Sequence, residues 1–413
     1  MSNTPARNIS STQSIAMDNR GKLKIIKDKT LELLAYCRAS EWTGYDPYDA
    51  LNSRVFKALP FLNFKLARLA LIQGVKRCPI NLRPLLLVTK TPNPKGIALF
   101  MSALTKLSKI GLVDGGKEID VMADKLLALR SPNEHYSCWG YNFDWQTRGE
   151  LVPKGSPNII CSTFAANALL DAYEQSQKSL WFDAAVSAAH FILDVLFRQQ
   201  NSSQACFSYT PLGRAEIHNA NLLGAALLCR ISSLTGHKRF IAPALDAARY
   251  SVSKQHNDGS WDYGELPSQR WIDNFHTGFN LVALRRIKQY HGTEEFDAAI
   301  HRGLEFYREH FFREDGAPRY FHNATYPIDI HSVAQSVITL IELRDFAEGN
   351  IPLAHSATNW GFRNMWDARG FFYFQKLPHF TICIPFMRWS QAWMLMALST
   401  LLEALYNNGE QNK

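Results

Sequence analysis

From Ala50 to Val113 the chain contains no aspartate or glutamate, while the same 64 residues hold eleven basic ones: Arg54, Lys57, Lys65, Arg68, Lys76, Arg77, Arg83, Lys90, Lys95, Lys106 and Lys109. The formal net charge of the whole chain is +8, so the remainder is slightly acidic. Such a block is either a solvated face or a functional surface. As a basic amphipathic helix over about 53–77 it would lie on an anionic membrane or cover a phosphate-bearing ligand. The helical and aromatic patterns match no nucleic-acid module, which sets that partner aside. Cysteine is sparse: seven residues, an odd number, with no Cys-x-x-Cys pair. Most sit in apolar surroundings, which predicts buried thiols in a reducing compartment and excludes a disulfide framework or a cysteine-rich zinc site. Gly-x-Gly-x-x-Gly, Walker and Gly-x-Ser-x-Gly motifs are missing, so dinucleotide, P-loop and hydrolase-elbow chemistries are set aside and no cofactor is expected. No uncharged apolar stretch reaches about 18 residues, the length of a bilayer span. The first 22 residues are polar with no run resembling a signal peptide. These features predict a cytoplasmic protein, with peripheral inner-membrane contact through residues 53–77.

Strand-like alternation is scarce, with short β pieces expected only in loops such as Phe371-Phe-Tyr-Phe. Helical segments dominate, and they repeat. Segments that are apolar almost all round begin near Asn158, Glu216, Asp273, Asp329 and Phe386, separated by 58, 57, 56 and 57 residues, with a fainter copy near Lys95. Helices apolar on every side are buried. Between them lie helices with a polar face, at about 117–130, 180–199, 238–255, 294–312 and 351–366. Buried and amphipathic helices alternating about six times predict an all-α fold, an (α/α)6 toroid, with an open superhelical array as the structural rival. A ring grows by adding units, so residues 21–413 are expected to form a single domain behind a Ser/Thr/Asn-rich, disordered tail at 1–20. A first helix is expected at about 21–39.

If the ring closes, the first turns of its inner helices meet. That would assemble Cys161 and Thr163; His218, Asn219 and Asn221; Asp273, Asn274 and His276; Asp329 and His331; and Arg388, Trp389 and Gln391. Helix N-termini also offer free N–H groups and partial positive charge to an anion. Asp273 and Asp329 taken singly read as N-caps. Their company of histidines, an arginine and amides makes acid–base chemistry feasible. The catalytic candidates are therefore Asp144, Asp273, His276, Asp329 and His331, with Asp262 and Glu265 as further carboxylates within reach. Residues 131–158 form the longest insertion, in which Trp139-Gly-Tyr-Asn-Phe-Asp-Trp-Gln-Thr-Arg sets polar groups among rings. Sugars are held this way, by stacking on apolar ring faces and hydrogen bonds to hydroxyls; a plug over the barrel end is the plain alternative. Trp139, Tyr141, Trp145, Arg148, His218, Asn221, Trp261, Asp262, Glu265, Arg388 and Trp389 are accordingly the candidate substrate-binding residues. His218, His276 and His331 could converge on a metal, but no local spacing such as His-Glu-x-x-His supports it and none is assigned.

The stretch Gln255-x-x-Asp258-Gly259-Ser260-Trp261 resembles the Gln/Trp repeat of terpenoid cyclases and protein prenyltransferases, which are α/α toroids. The resemblance implies a structural role: the glutamine ties off a helix and the tryptophan packs beneath it. Glu314-Asp-Gly-Ala-Pro and Ala368-Arg-Gly-Phe-Phe look like degraded copies. The cyclase Asp-x-Asp-Asp acid motif is absent. Over nearly its whole length the chain resembles bacterial toroid proteins associated with capsule, exopolysaccharide or O-antigen biosynthesis. The resemblance is carried by Gly44-Tyr-Asp-Pro-Tyr-Asp-Ala-Leu-Asn-Ser, Asn93-Pro-Lys-Gly, Trp139-Gly-Tyr-Asn-Phe-Asp-Trp-Gln, Asp273-Asn-Phe-His-Thr-Gly-Phe and Arg388-Trp-Ser-Gln-Ala-Trp-Met. It implies a carbohydrate-active protein whose partner is a saccharide, a sugar nucleotide or a lipid-linked glycan. The reaction stays open between glycosidase, lyase and epimerase types, with Arg388 holding an anionic sugar or phosphate. The alternative is a non-catalytic saccharide-binding or membrane-associated scaffold.

Overall fold

The computed structural model describes residues 9–147, 149–201, 204–213 and 215–410. Its helices are α1 (Ile9–Ala39), α2 (Arg54–Lys57), α3 (Lys65–Arg77), α4 (Pro94–Lys109), α5 (Gly116–Ala128), α6 (Ile159–Ser176), α7 (Ser179–His190), α8 (His218–Thr235), α9 (Ile241–Ser253), α10 (Asn274–His291), α11 (Asp297–His310), α12 (Ile330–Glu342), α13 (Asn350–Asn364) and α14 (Trp393–Glu410). The all-round apolar helices α4, α6, α8, α10, α12 and α14 pack each on the next, and α14 packs back on α4. The ring closes, as the repeat predicts, and the open array is excluded. Helices α5, α7, α9, α11 and α13 each back the inner helix before them. The sixth outer position is filled by α1, which lies against α14, so the last hairpin is built from the two ends of the chain. That helix starts at Ile9, earlier than expected, and residues 1–8 of the expected tail lie outside the described residues.

Local chemistry fixes where the inner helices begin. Asn93, Asn158, Asp273 and Asp329 are extended N-caps whose side chains accept from Gly96, Cys161, His276 and His331 backbone N–H groups. A cap of this kind is worth about 1 kcal/mol. The first residue of successive inner helices, or for α14 the first residue of the π-helical turn Met387–Ala392 that leads into it, also donates to the loop ahead of the next one: Ile159 N to Tyr209 O, His218 N to Tyr263 O, Asn274 N to Tyr320 O, Ile330 N to Phe374 O and Met387 N to Tyr45 O, at 2.9–3.2 Å. The last of these bonds ties the end of the chain to its beginning. The α4 copy starts with Pro94, which has no N–H to give; the Tyr141 carbonyl accepts from Gly155 instead.

The Gln/Trp loop is structural, as its resemblance implies. Gln255 Nε2 donates to the Gly259 and Ala299 carbonyls, and Trp261 is buried with Nε1 donating to Ser251 O at 2.9 Å. Gly259 has φ +90°, and a Cβ there would stand 2.2 Å from Arg302 O, so only glycine fits. Gly316 and Gly370, in the two degraded copies, share the left-handed conformation at φ +82° and +88°.

The basic stretch departs from expectation. It is not one helix over 53–77: α2 is a single turn, a 3-10 turn follows at Pro60–Leu62, and α3 starts only at Lys65. Pro60 removes a donor and pushes Leu59 out of the helical region, which breaks the run. Among the described residues one segment, Ser179–Leu196, is long and apolar enough to cross a membrane by composition; in the fold it is the outer helix α7 and its continuation, packed on α6. Strands are short. The expected piece at Phe371–Phe372 pairs with Trp366–Asp367, and a longer hairpin joins Phe197–Asn201 to Gln204–Phe207. All seven cysteines are free thiols, and five of them are buried.

Candidate functional site

Ring closure brings the first turns of the inner helices to one end of the molecule. At the head of α10, Asp273 Oδ1 accepts the His276 backbone N–H at 3.0 Å. Its Oδ2 accepts from Trp271 Nε1 at 2.9 Å and from His276 Nδ1 at 2.7 Å. Facing a carboxylate, Nδ1 carries the proton, which leaves Nε2 of His276 as the open nitrogen. At the head of α12, Asp329 Oδ1 accepts from His331 N and Trp389 Nε1, and Oδ2 from Gln375 Nε2, at 2.8, 2.9 and 2.6 Å. Burial pushes the Asp329 carboxyl up to about 6 against these donors. Both aspartates are therefore caps whose oxygens are taken.

His331 does not turn back to its cap. Its ring is stacked between Phe275 and Trp393, each 4.5 Å away centre to centre, with Trp389 edge-on at 4.6 Å. Neither nitrogen has a hydrogen-bond partner. Burial, reinforced by Lys95 and Arg388, holds this imidazole well below its ordinary pKa and hence neutral. His276 also lies against Phe275, at 4.3 Å. Phe279, one turn along α10 from Phe275, borders three functional groups: Lys95 Nζ at 5.5 Å, the His331 ring at 6.0 Å and the His276 ring at 6.3 Å.

Lys95, in the first turn of α4, is buried with its ammonium over the faces of Phe164, Phe279 and Trp393. No carboxylate pairs with it among the described residues, and burial, with Arg388 nearby, lowers its pKa to about 7. Arg388, the expected anion holder, is occupied: its Nε and Nη2 grip the Asp46 carboxylate at 2.6 and 2.8 Å in a buried pair. Lys95, unlike Arg388, has no carboxylate paired to it among the described residues. Further buried polar atoms around the ring lack partners, among them Thr163 Oγ1, Asn219 Oδ1, Ser332 Oγ and Ser390 Oγ. Unpartnered buried atoms also lie away from the inner-helix starts, at Arg285 Nε, Gln335 Oε1, Asn350 Oδ1 and Thr400 Oγ1, so they do not by themselves mark the site.

Aromatic side chains wall this end. Tyr263 stacks on Trp271 at 4.6 Å and tilts against His276 at 4.4 Å. Tyr141 bonds Tyr209 through their hydroxyls at 3.0 Å and lies over Arg388, and Trp145 contacts both tyrosines. Tyr48 meets Trp389 edge-on at 5.4 Å, and Tyr320 meets Phe275 likewise. Tyr48, Tyr209, Tyr263 and Tyr320 were not among the sequence candidates. The signal was present, since a tyrosine precedes each of three successive inner helices, and its register becomes visible only through the loop-to-helix backbone bonds.

The remaining candidates fall elsewhere. Trp139 is fully buried with Nε1 donating to Leu126 O, and Asn221 spends its amide on Phe207 N, Ala247 O and Ser251 Oγ; like Trp261, both hold loops to helices. His218 uses both ring nitrogens, Nε2 toward Glu265 at 2.9 Å and Nδ1 toward Ser251 Oγ at 3.3 Å. The His218 bond, with Lys254 at 3.3 Å, holds the Glu265 carboxyl down at about 2. Asp262 stands 3.7 Å from His256 on a loop. Asp144 accepts from Lys154 N and lies 3.7 Å from Lys57, on outer loops, without contact to the helix-start residues. Its pairing with Asp273 across a glycosidic bond is not supported by those contacts. Arg148 lies outside the described residues. The three candidate histidines form no common donor set, and among the described residues no group of three or more His, Cys, Asp or Glu could hold a metal ion.

No protein-family model matches the chain, and no curated protein matches it by sequence. Solved structures do. A cellobiose 2-epimerase from Bacillus thermoamylovorans superposes with a TM-score of 0.60 at 10% identity, covering 77% of this chain and 88% of its own. A family 76 α-mannanase from Bacteroides thetaiotaomicron gives 0.58 at 13%, covering 77% and 87%. An unsaturated glucuronyl hydrolase specific for heparin gives 0.57 at 10%, covering 78% and 89%. At such identities the likeness is one of fold: this chain has the α/α toroid fold that these three sugar enzymes share.

Proposed function

We propose that this protein is a carbohydrate-active enzyme that moves a proton on an anionic sugar by histidine chemistry, of the epimerase or lyase type. Its place would be cytoplasmic synthesis of a bacterial surface polysaccharide, acting on a sugar nucleotide or lipid-linked glycan. The observation that carries the reading is the grouping of Lys95, His276 and His331 around Phe279. His331, neutral, takes the proton from a carbon beside a carbonyl or carboxyl, and His276, entering the cycle with a second proton at Nε2 against Asp273, returns one, so the two imidazoles exchange charge and the reverse direction exchanges their roles. Asp273 orients the His276 ring and balances a proton taken up at Nε2, while the Lys95 ammonium meets the negative charge that develops on oxygen. Elimination needs the same first step. Hydrolysis by two carboxylates is less well supported, because Asp273 and Asp329, the carboxylates at the inner-helix starts, already have their oxygens engaged. The pathway rests on the resemblance of Asp273-Asn-Phe-His-Thr-Gly-Phe and its companion stretches to capsule, exopolysaccharide and O-antigen proteins.

The test is solvent exchange. The whole chain is incubated in D2O with UDP-glucuronate and with a uronate-containing disaccharide, and NMR follows deuterium at the carbon beside the carboxylate. Exchange is expected, falling about 10²–10⁴-fold in His276→Asn and in His331→Asn. Exchange that survives both substitutions overturns the proposal. Calorimetric binding of the saccharide without exchange or cleavage would put the non-catalytic saccharide-binding reading in its place.

A further inference from the structure

Among the described residues, seven of fifteen exposed large hydrophobic residues lie between Val55 and Leu87, so exposed apolar surface is concentrated in one stretch of the chain instead of scattered. Phe61 (73% exposed), Leu66 (72%), Ile80 (70%) and Leu85 (79%) stand furthest out, joined by Phe64 and Leu87. They occupy two places: the proline-broken turn leading into α3, and the loop that follows it. Exposed cations Arg54, Lys57, Lys65, Arg77 and Lys90 are interleaved with them, and no carboxylate falls anywhere from Ala50 to Val113. Lys57 has a distant partner in Asp144, at 3.7 Å.

The underside of this face is fastened to the rim of the ring. Ile72 and Val75 of α3 pack with Ala50 and Leu51 in a small separate core. Arg83 is buried, donating to Asp49 Oδ1 at 2.6 Å and to Asp46 O at 2.7 Å, and Arg68 reaches Gln146 at 2.7 Å. Lys76 donates to Tyr48 Oη at 2.7 Å and lies 5.7 Å from the Trp389 ring, which itself touches His331. The apolar side chains therefore project outward from the same end of the toroid that carries the candidate site.

We infer that residues 54–90 dock this protein on an anionic lipid bilayer, with Phe61, Phe64, Leu66, Ile80, Leu85 and Leu87 entering the interface and the flanking cations meeting lipid headgroups. Short apolar protrusions ringed by Lys and Arg suit the boundary between headgroups and acyl chains. The uncompensated positive charge selects an anionic surface. A second protein would more naturally meet a surface of mixed charge with hydrogen-bonding groups at its edge. Docked in this way, the ring opens toward the membrane, where a saccharide carried on a lipid would present its sugar. That last step alone rests on the proposed function; the docking does not.

The experiment is sedimentation of the whole chain with phosphatidylcholine vesicles, with and without about 30% phosphatidylglycerol. Binding to the anionic vesicles is expected, weakening as salt rises from about 0.1 M to about 0.5 M. Both Phe61→Ser/Leu85→Ser and Lys57→Glu/Lys65→Glu should lose roughly tenfold or more in vesicle affinity. These side chains are exposed, so unchanged circular dichroism and melting would show that each variant is folded. Absence of binding, or equal binding by wild type and both folded variants, overturns the proposal. So does a concentration-dependent dimer that Phe61→Ser/Leu85→Ser dissociates without any vesicle binding, which would assign the face to a second copy of the chain. The exchange reaction, measured on a soluble saccharide, should be untouched in both variants, so failure of docking and failure of the catalytic reading are separable.

Discussion

Two inner helices begin with the same device and do different things with it. Asp273 caps α10 and Asp329 caps α12, at equivalent positions of the repeat. In α10 the histidine comes three residues after the cap, and its ring swings back to bond the capping carboxylate. In α12 it comes two residues after, and its ring lies in an aromatic sandwich with no polar partner. A spacing difference of one residue thus separates a carboxylate-backed imidazole from a desolvated one. The carboxylate left behind at Asp329 recruits Trp389 and Gln375 in place of its histidine. Equal caps supply equal helix starts, and the chemistry lies in where the next polar side chain goes.

The sharpest way to break this comparison is to put asparagine at each cap. Asp273→Asn keeps a capping oxygen for the His276 N–H but turns an amide nitrogen toward Trp271 Nε1 and His276 Nδ1, so turnover should fall about 10²-fold or more and stability by about 1–3 kcal/mol. Asp329→Asn should leave turnover close to wild type, and its effect should be read in stability against pH. If the two asparagines act alike on rate, the distinction between the caps is wrong. Next in size is Asp329→Ala, which strands the Trp389 and Gln375 donors and the His331 N–H in the interior; a loss of roughly 2–4 kcal/mol in urea unfolding is expected.

Smaller effects come from protons. Asp329 is raised to about 6 in the fold, above its unfolded value, so the folded state holds the extra proton. Its contribution is complete in acid and is lost as pH climbs from about 4 to about 6, by at most about 1.4 kcal/mol per unit. The difference between the wild-type and Asp329→Asn stability profiles over that window isolates it. Lys95 is lowered to about 7, so an anionic ligand should bind tightest below that pH and weaken above it by up to about tenfold per unit. In Lys95→Met the affinity should be lower in acid and flat with pH, as titration calorimetry would show.

The fold was legible because its signals are periodic. Runs apolar on all sides, spaced by nearly constant intervals, leave a ring as one of few ways to bury them, and Asn158, Asp273 and Asp329 announce their helices through cap chemistry alone. The sixth outer helix was not assigned, because α1 pairs with α14 across almost the whole chain and no local pattern carries such a contact. The basic segment was misread as continuous since its charges hide Pro60, whose missing N–H decides the break. At the site, residue types pointed to the right helix ends and misjudged availability. Whether Arg388 is open or gripped by Asp46, and whether Trp139 and Trp261 face a ligand or the interior, depends on partners remote in sequence. Lys95 was visible as one of eleven cations and as the start of the faintest repeat copy, and its availability appeared only when the ring set it over three aromatic faces with no carboxylate paired to it among the described residues.

The joint between the two ends of the chain has a consequence for how the protein comes into being. Five hairpins can form in sequence as the polypeptide emerges, each resting on the one before. The bowl lacks Trp389, Trp393 and the Arg388–Asp46 clasp until the final helix slides between α12 and α4 and the Met387 amide reaches Tyr45. Contacts of such great sequence separation form late and slowly. Until then the open arc would present the bare flanks of α4 and α12 to whatever hydrophobic surface is at hand, so assembly, more than final stability, is where this architecture is most exposed to failure.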